Sequence, residues 1–378
     1  MKYRYPCTGN VDIMGFGKYL EREIAEPRRN IRLFASELKE RFGGAFHCLV
    51  NSGSSANLVA AFAAAEKLKA RGMPLTAVAS AFTFPTTMSA LAFAGFTVKI
   101  IDVAENEFNL DVSELERMDP VSLIVPTHFL GFPYDIDRVK ALADKWGALI
   151  LQDSCEAMDV PLYGRRNFEA ADFITWSFYH PHHLSSYGGG CVVCGNAEDF
   201  ALVDSVVHWG RACKCHIDPA MCKVPRGPGH EFTYERLGFN VELSELNACF
   251  GRWQLAQWDS FERTRMAHYD TLLAELGGCP GLSLWDRPPG GSPFVFPFRV
   301  VNGMDTETVH RRLAAVGVEA RRLMGGVLNQ QPGFWDFKAG SLANARALAD
   351  CTLFLGIHQT ISEEQIRFGV DVMKSMFM

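Results

Sequence analysis

Short apolar runs and longer segments with helical spacing alternate along the first two thirds of the chain. The short runs are rich in β-branched and aromatic residues and predict buried strands. Residues 54–72 begin with a serine pair and carry apolar positions at helical intervals, which predicts a helix. This alternation indicates a mostly parallel central sheet flanked by helices. The predicted strands are residues 75–80, 97–103, 122–128, 148–154, 173–180 and 190–195.

The pattern changes near Trp258, where a long polar helix is predicted over residues 258–278. A strand over 294–301, a helix over 306–317 and a final helix from about Ser362 follow. A chain of 378 residues is long enough for one large domain and a smaller one. We therefore expect a large α/β domain over residues 1–260, which carries the ligand site, and a smaller C-terminal α+β domain over residues 261–378.

Composition and charge exclude several classes of protein. The chain is 48% hydrophobic with a net charge of −6, and it has no basic face or run of Lys and Arg, so nucleic acid is not an expected partner. The uncharged stretch from Gly72 to Val98 contains prolines and reads as a strand, a turn and a buried helix, so we expect no membrane partner. The N-terminus lacks the apolar segment of a signal peptide, which predicts a cytoplasmic protein. In that reducing compartment, its 11 cysteines are expected to be core residues or metal ligands rather than disulfides.

Polar residues follow the predicted strands, at the edge where open α/β sheets bind ligands. Gly53, Ser54 and Ser55 form a glycine turn with two hydroxyls that opens a helix, and the free N–H groups there suit a phosphate. The same residues also suit a plain helix N-cap. Ser177 follows another apolar run. It either adds a further hydroxyl to the phosphate site or is an ordinary polar residue in a turn.

Asp153 ends an apolar run, so its carboxylate is expected at the tip of a buried strand. Ionisation there is costly unless a cation pairs with it, and a protonated pyridine nitrogen is such a cation. A helix cap or an internal salt bridge is the alternative. Phe84 is placed either to cover the face of a flat ring or to pack in the core.

These residues lie within six ordered motifs that resemble the DegT/DnrJ/EryC1/StrS family of sugar aminotransferases. The resemblance implies the fold of the fold type I pyridoxal-phosphate enzymes and a cofactor held by the residues just described. It also implies that Asn240 reaches the phosphate of the neighbouring subunit's cofactor, and hence a homodimer. The motifs are residues 51–58, 81–87, 126–131, 152–158, 177–186 and 237–255.

The family carries a lysine five residues after the motif serine, where it binds the cofactor covalently, and His182 stands at that position here. Imidazole has no primary amine and cannot form that bond, but it moves protons near neutral pH. The change resembles the 3-dehydratase branch of the family, which implies pyridoxamine phosphate as the cofactor, a nucleotide-linked 4-keto-6-deoxy sugar as the substrate and His182 as the catalytic base. A metal site built from His180, His182 and His183 is the alternative, although consecutive residues rarely converge on one ion.

Four cysteines form a second pattern, in which Cys155 is followed after a long interval by Cys213, Cys215 and Cys222. Four thiolates with this spacing suit an iron–sulfur cluster or a zinc ion, and scattered core cysteines are the alternative. The spacing resembles the ligand set of the 2Fe-2S dehydrases of this family, except that the last gap is six residues rather than seven. That resemblance implies a 2Fe-2S cluster that receives electrons from a partner reductase.

Arg322 matches a family segment near the substrate, where an arginine holds a diphosphate with two hydrogen bonds. A surface salt bridge is the alternative for this residue.

The leading hypothesis for the whole chain is a reductive 3-dehydrase that uses pyridoxamine phosphate and a 2Fe-2S cluster. Two other hypotheses stay open: a cluster-free dehydratase that regenerates pyridoxamine phosphate with glutamate, and a non-catalytic redox or regulatory relative.

Overall fold

The apolar runs form one large, mostly parallel sheet of eight strands, in the order β1-β7-β6-β5-β4-β2-β3-β11. A computed structural model describes residues 3–8, 11, 13–24, 26, 28–158, 168–288 and 293–378. Strand β7 is antiparallel to both of its neighbours, and the other pairs are parallel. The strands of the described chain are β1 (Phe46–Val50), β2 (Thr76–Ser80), β3 (Thr97–Ile101), β4 (Leu123–Val125), β5 (Leu149–Asp153), β6 (Phe173–Ser177), β7 (Gly190–Cys194), β8 (Leu282–Leu284), β9 (Val295–Val300), β10 (Ala320–Arg322), β11 (Lys338–Ala339) and β12 (Thr352–Gly356).

Both faces of this sheet are buried, which explains why its strands read as continuous apolar runs. Successive residues of one strand enter different cores: Ile150 packs in one hydrophobic cluster and Leu151 in the other. Val192 and Val193 of β7 divide in the same way. The alternation of side chains along a strand thus fills two layers at once.

Helices cover the two faces of the sheet, and most begin at a polar cap. Ser52 caps α3, where its side chain accepts a hydrogen bond from the backbone N–H of Ser55. Ser362 and Gln365 form a capping box at the start of the last helix. The helices are α1 (Phe16–Glu23), α2 (Arg29–Phe42), α3 (Gly53–Ala70), α4 (Pro85–Phe93), α5 (Val112–Glu116), α6 (Ile136–Trp146), α7 (Ala197–Val207), α8 (Glu245–Leu255), α9 (Trp258–Leu276), α10 (Thr306–Ala315), α11 (Ala343–Cys351) and α12 (Glu363–Phe377).

The C-terminal part of the chain forms a separate antiparallel sheet in the order β10-β12-β9-β8. Helix α10 packs against β10 and β12, and α12 packs against α9. The expected fold class, a mostly parallel sheet flanked by helices with a smaller α+β unit, is confirmed. The boundary at residue 260 stays a prediction, and helix α9 runs across it. Within the described residues, no helix combines the length and the apolar character that a membrane crossing requires.

Strand β7 approaches the turn before α3 very closely at Gly190. A Cβ atom on Gly190 would lie 2.6 Å from the carbonyl carbon and oxygen of Ser52 and 2.7 Å from the backbone nitrogen of Gly53. These contacts are all backbone, so a flexible side chain cannot relieve them. Glycine at this position therefore sets the distance between the sheet and the turn that opens α3.

We predict that Gly190→Ala lowers the free energy of unfolding by about 1–3 kcal/mol, because the added methyl group forces the backbone of the turn to move. Gly195→Ala is the matched control, since that glycine is exposed and a Cβ there would meet only the carbonyl oxygen of Phe168, at 3.7 Å. Urea unfolding of both variants measures the difference. Equal stability of the two variants would contradict the prediction.

Candidate active site

A cavity of about 370 Å³ lies where the carboxyl ends of the large sheet meet the C-terminal sheet. Residues that follow β1, β2, β4, β5 and β6 line one side, and residues of the C-terminal part line the other. This is the edge at which the sequence analysis expected a ligand. Its lining includes Ser52, Gly53, Ser54, Phe84, Thr127, Asp153, Ser177, His182, Phe294, Arg321, Met324 and His358.

The turn at the start of α3 presents hydroxyls and helix N–H groups to the cavity. Ser54 lines it, and its Oγ shares a hydrogen bond of 2.8 Å with Oγ1 of Thr86. Ser55 is not among the cavity-lining residues; its Oγ donates to Oδ1 of Asn51 at 2.6 Å. Of the three residues predicted to hold a phosphate, Gly53 and Ser54 line the cavity. The side chain of Ser55 instead helps to hold the turn.

Ser177 and Gly53 lie against each other in this cradle. A Cβ on Gly53 would lie 2.7 Å from Cβ and 3.0 Å from Oγ of Ser177, so only glycine allows this approach. Ser177 ends β6, is buried and lines the cavity beside the helix start. Because a helix N-terminus favours negative charge, these groups together form a suitable site for a phosphate.

Asp153 ends β5 with its carboxylate at the cavity, and only 2% of the residue is exposed. Its oxygens accept hydrogen bonds from Nδ2 of Asn57 at 2.9 Å, Oγ1 of Thr87 at 2.6 Å and the backbone N–H of Cys155 at 3.0 Å. All three donors are neutral, and no basic side chain in the described ranges forms an ion pair with it. A buried carboxylate in this state favours a cationic ligand, which a protonated pyridine nitrogen provides.

His182 lines the same cavity and stacks on Phe294, with ring centroids 4.9 Å apart and planes 20° apart. Desolvation, assisted by the charge of Arg265, lowers the pKa of His182 to about 3, although a hydrogen bond to the backbone of Cys155 opposes the shift. The imidazole is therefore neutral at physiological pH. Its Nδ1 is fully buried and has no hydrogen-bond partner within the described chain.

The metal site considered for the three histidines does not form in the described structure. His180 and His183 do not line the cavity with His182, and no group of candidate ligands among the described residues contains any of the three.

Phe84 lines the cavity near its mouth, where it is 46% exposed and immediately precedes α4. An exposed aromatic ring at this position is available to cover a flat ligand, which is one of the two roles that the sequence left open for Phe84.

Glu156 is a cavity residue that the sequence analysis did not select. Burial raises the pKa of its carboxyl to about 8, the nearby charge of Asp153 adds to the rise, and a hydrogen bond of 2.6 Å from the backbone N–H of Leu130 opposes it. The group is therefore mostly protonated at neutral pH. The available signal was its place in the motif of residues 152–158, three positions after Asp153.

The structure corrects the assignment of Arg322. This residue is exposed and its guanidinium donates to Glu307 at 3.1 Å, away from the cavity. Its neighbour Arg321 lines the cavity instead. Both residues belong to β10, and successive side chains of a strand point to opposite faces. Arg321 therefore faces the cavity and Arg322 faces away from it, so an assignment that is wrong by one residue selects the wrong arginine.

Asn240 lies outside the cavity of its own chain. It is exposed and pairs with His208 through an isolated β-bridge. Its contact with the cofactor of a neighbouring subunit, and the homodimer which that contact implies, stay predictions.

The structure also corrects the expected set of four cysteine ligands. Cys213, Cys215 and Cys222 come together, but the fourth member of their group is His230 rather than Cys155. Cys155 lies two residues after the end of β5, its backbone N–H donates to the Asp153 carboxylate, and the residue lines the cavity. None of the four residues in the loop lines that cavity.

Comparison with known proteins agrees with this architecture. The model of the DegT/DnrJ/EryC1/StrS aminotransferase family matches residues 17–375. The dTDP-4-dehydro-2,6-dideoxy-D-glucose 3-dehydratase of Saccharopolyspora spinosa is 29% identical over 364 residues, which is 90% of this chain and 79% of the relative. The lipopolysaccharide biosynthesis protein RfbH of Salmonella typhimurium is 27% identical over 367 residues, which is 91% of this chain and 84% of the relative.

Among solved structures, an Escherichia coli GDP-4-keto-6-deoxy-D-mannose-3-dehydratase with bound hydrated PLP superposes with a TM-score of 0.87 at 22% identity. The match covers 98% of this chain and 100% of that chain, and it supports the fold. The fold and cavity define an α/β protein of the aminotransferase type. Because the family model spans nearly the whole sequence, the chain belongs to the DegT/DnrJ/EryC1/StrS aminotransferase family, which confirms the expected family and the expectation of an enzyme.

The raised pKa of Glu156 predicts a pH dependence of stability. Between about pH 4.5 and 8 this carboxyl is protonated in the folded protein and ionised in the unfolded chain, so it lowers the free energy of unfolding as pH rises, by up to about 1.4 kcal/mol per pH unit. Gln cannot ionise, so Glu156→Gln becomes progressively more stable relative to the parent across this window. Urea unfolding at several pH values measures the trend. Glu198→Gln, at an exposed position, is the control, and parallel curves for Glu156→Gln and the parent would refute the assignment.

Proposed function

We propose that this chain is a pyridoxamine-phosphate-dependent 3-dehydratase that removes the C3 hydroxyl of a nucleotide-linked 4-keto-6-deoxy sugar. The observation that carries the proposal is His182, a neutral imidazole in the cavity at the position where the family has its cofactor-binding lysine. The names of the Saccharopolyspora relative and of the Escherichia coli structure, both sugar 3-dehydratases, support the same reaction type.

The residues present fit this cofactor. Asp153 is a buried carboxylate with neutral donors only, which suits the ring nitrogen, and the turn at Gly53 and Ser54, together with Ser177, suits the phosphate. Phe84 stands at the cavity mouth to cover the ring. When bound, pyridoxamine phosphate supplies a primary amine that condenses with a ketone and a ring that accepts electrons.

His182 serves in this proposal as the base that takes up the proton whose removal drives loss of the C3 hydroxyl. A neutral ring is in the protonation state that a base requires. Its stacking on Phe294 fixes the plane of the ring, which restricts the direction from which a proton arrives. Because imidazole forms no covalent bond with the cofactor, the cofactor is free to enter and leave as the amine.

The C-terminal side of the cavity fits the sugar nucleotide. Arg321 lines the cavity there, and its guanidinium is held by Glu319 at 2.8 Å, so the group is positioned to bind a diphosphate. Met324, Phe354 and His358 supply an apolar and weakly polar surface for the sugar and base. Arg321 thus takes the role that the sequence analysis gave to Arg322.

We predict that His182→Lys binds pyridoxal phosphate covalently and loses dehydratase activity, because lysine restores the primary amine and removes the base. Mass spectrometry after borohydride reduction detects the adduct, and His180→Lys is the matched control at a neighbouring histidine outside the cavity lining. An unmodified His182→Lys protein, or one with parental activity, would show that position 182 does not face the cofactor.

Incubation with pyridoxamine phosphate and CDP-, GDP- or dTDP-linked 4-keto-6-deoxy sugars tests the reaction itself. We expect loss of the C3 hydroxyl from one of these sugars, with glutamate sustaining turnover by regenerating the amine form of the cofactor. Mass spectrometry of the sugar product provides the measurement. The absence of product from the whole panel, with the cofactor bound, would refute the proposed reaction.

A second candidate is the reductive dehydrase with a 2Fe-2S cluster and a partner reductase. The observation in its favour is the convergence of Cys213, Cys215 and Cys222 in one loop. Against it, Cys155, the expected fourth thiolate, lies at the cavity and not in this group. Two results together would favour this candidate over the glutamate-dependent reaction. The protein would contain iron and acid-labile sulfide in equal molar amounts, and turnover would require a reductase.

A further inference from the structure

Three thiols and one imidazole converge in the loop that follows α7. The ligand atoms of Cys213, Cys215, Cys222 and His230 all lie within 4.8 Å of one another. The Nε2 atom of His230 is 3.1 Å from Sγ of Cys213, 3.2 Å from Sγ of Cys215 and 3.5 Å from Sγ of Cys222. The histidine is thus in contact with each of the three thiols.

The orientation of His230 directs a lone pair toward the sulfur atoms. Its Nδ1 lies 2.9 Å from the carbonyl oxygen of Pro225 and donates its hydrogen there, which leaves Nε2 as the unprotonated nitrogen. Histidine ligands of metal ions characteristically donate their second ring N–H to a carbonyl or carboxylate in this way. The same arrangement is present here.

The loop itself lacks a hydrophobic core that would account for the convergence. No residue from Cys215 to Leu237 is buried within the chain, and the only helical structure described between these residues is two single-turn 3₁₀ helices, Pro219–Met221 and His230–Phe232. A long loop without packed apolar side chains needs another source of order. A metal ion bound by four side chains supplies it by cross-linking three separate points of the loop.

The compact arrangement fits one ion better than a two-iron cluster. Four ligands around a tetrahedral zinc ion with Zn–S of about 2.3 Å place the sulfur atoms about 3.8 Å apart, within the observed spread. In a two-iron cluster two ligands bind each iron, so ligands on different irons lie farther apart than ligands on the same iron. Three thiolates and one imidazole complete a closed, four-coordinate set with no open position, as in structural zinc sites.

We propose that Cys213, Cys215, Cys222 and His230 form a structural zinc site that orders the loop of residues 213–237. The site lies outside the cavity and does not take part in the proposed reaction. Another group of candidate ligands, Asp204, His208 and His216, is accounted for without a metal ion: Asp204 pairs with His208 at 3.2 Å and with His216 at 2.8 Å.

Metal analysis of the full chain, purified under reducing conditions and reconstituted with zinc, tests the site. We expect one zinc per chain and no acid-labile sulfide. Cobalt substituted for zinc should give the visible bands of a tetrahedral site and sulfur-to-cobalt charge transfer. Cys213→Ser and His230→Ala should lose the metal on dialysis, whereas Cys351→Ser and His216→Ala, the controls for each residue type, should retain it.

His230→Cys keeps the proposal testable if the alanine variant fails to fold. This variant should retain the metal as a four-thiolate site, with stronger sulfur-to-cobalt absorption than the parent. Trypsin supplies a second readout, since Lys223 and Arg226 are exposed in the loop. Removal of zinc with a chelator should accelerate cleavage at these residues without release of the cofactor.

Three results would overturn the proposal. The first is a parent protein that holds two irons and two sulfides per chain and has no site for zinc. The second is an unchanged cobalt spectrum in His230→Ala, which would show that the imidazole is not a ligand. The third is the absence of bound metal after reconstitution of folded protein with either zinc or cobalt.

Discussion

A buried carboxylate that only neutral groups contact is the constraint on which the site depends. Asp153 is held at the end of β5 by an amide, a hydroxyl and a backbone N–H. These donors keep its position but do not neutralise its charge, and desolvation of an unpaired charge costs several kcal/mol. The nearby Glu156 and His182 are both pushed by burial toward their uncharged forms. At this end of the cavity, the carboxylate of Asp153 therefore favours a cationic ligand, and a protonated ring nitrogen provides the cation.

The fold was predictable where local patterns alone decide it. Most residues of the apolar runs that became β2 to β7 are buried, so these runs give a strong hydrophobic signal. Helix α9 begins at the predicted residue, and α3 and α12 begin within about one residue of their predicted starts. Strand β1 (Phe46–Val50) was not predicted. It is as long as β2 and β5, but His47 interrupts its apolar run, and its pairing partner β7 lies far along the chain. The antiparallel direction of β7 likewise depends on long-range pairing.

The site was predictable as a set of positions at one edge of the sheet, but not in its finer contacts. Asp153 and Ser177 lie in predicted strands and Gly53 precedes a predicted helix, and the fold brings all three to the cavity. The choice between Arg321 and Arg322 depends on the register of a three-residue strand, which the sequence does not determine. The replacement of Cys155 by His230 in the cysteine group depends on the path of a long loop, and spacing alone does not reveal that path.

The contact between His182 and Phe294 links the two parts of the molecule. Phe294 immediately precedes β9, and its carbonyl oxygen accepts a hydrogen bond of 2.6 Å from the buried guanidinium of Arg265 on α9. The surface against which the imidazole rests is therefore supplied by the C-terminal sheet and anchored by the helix that joins the two parts. A displacement of β9 from the large sheet would therefore separate Phe294 from His182, so the orientation of the proposed base depends on how the C-terminal sheet is seated.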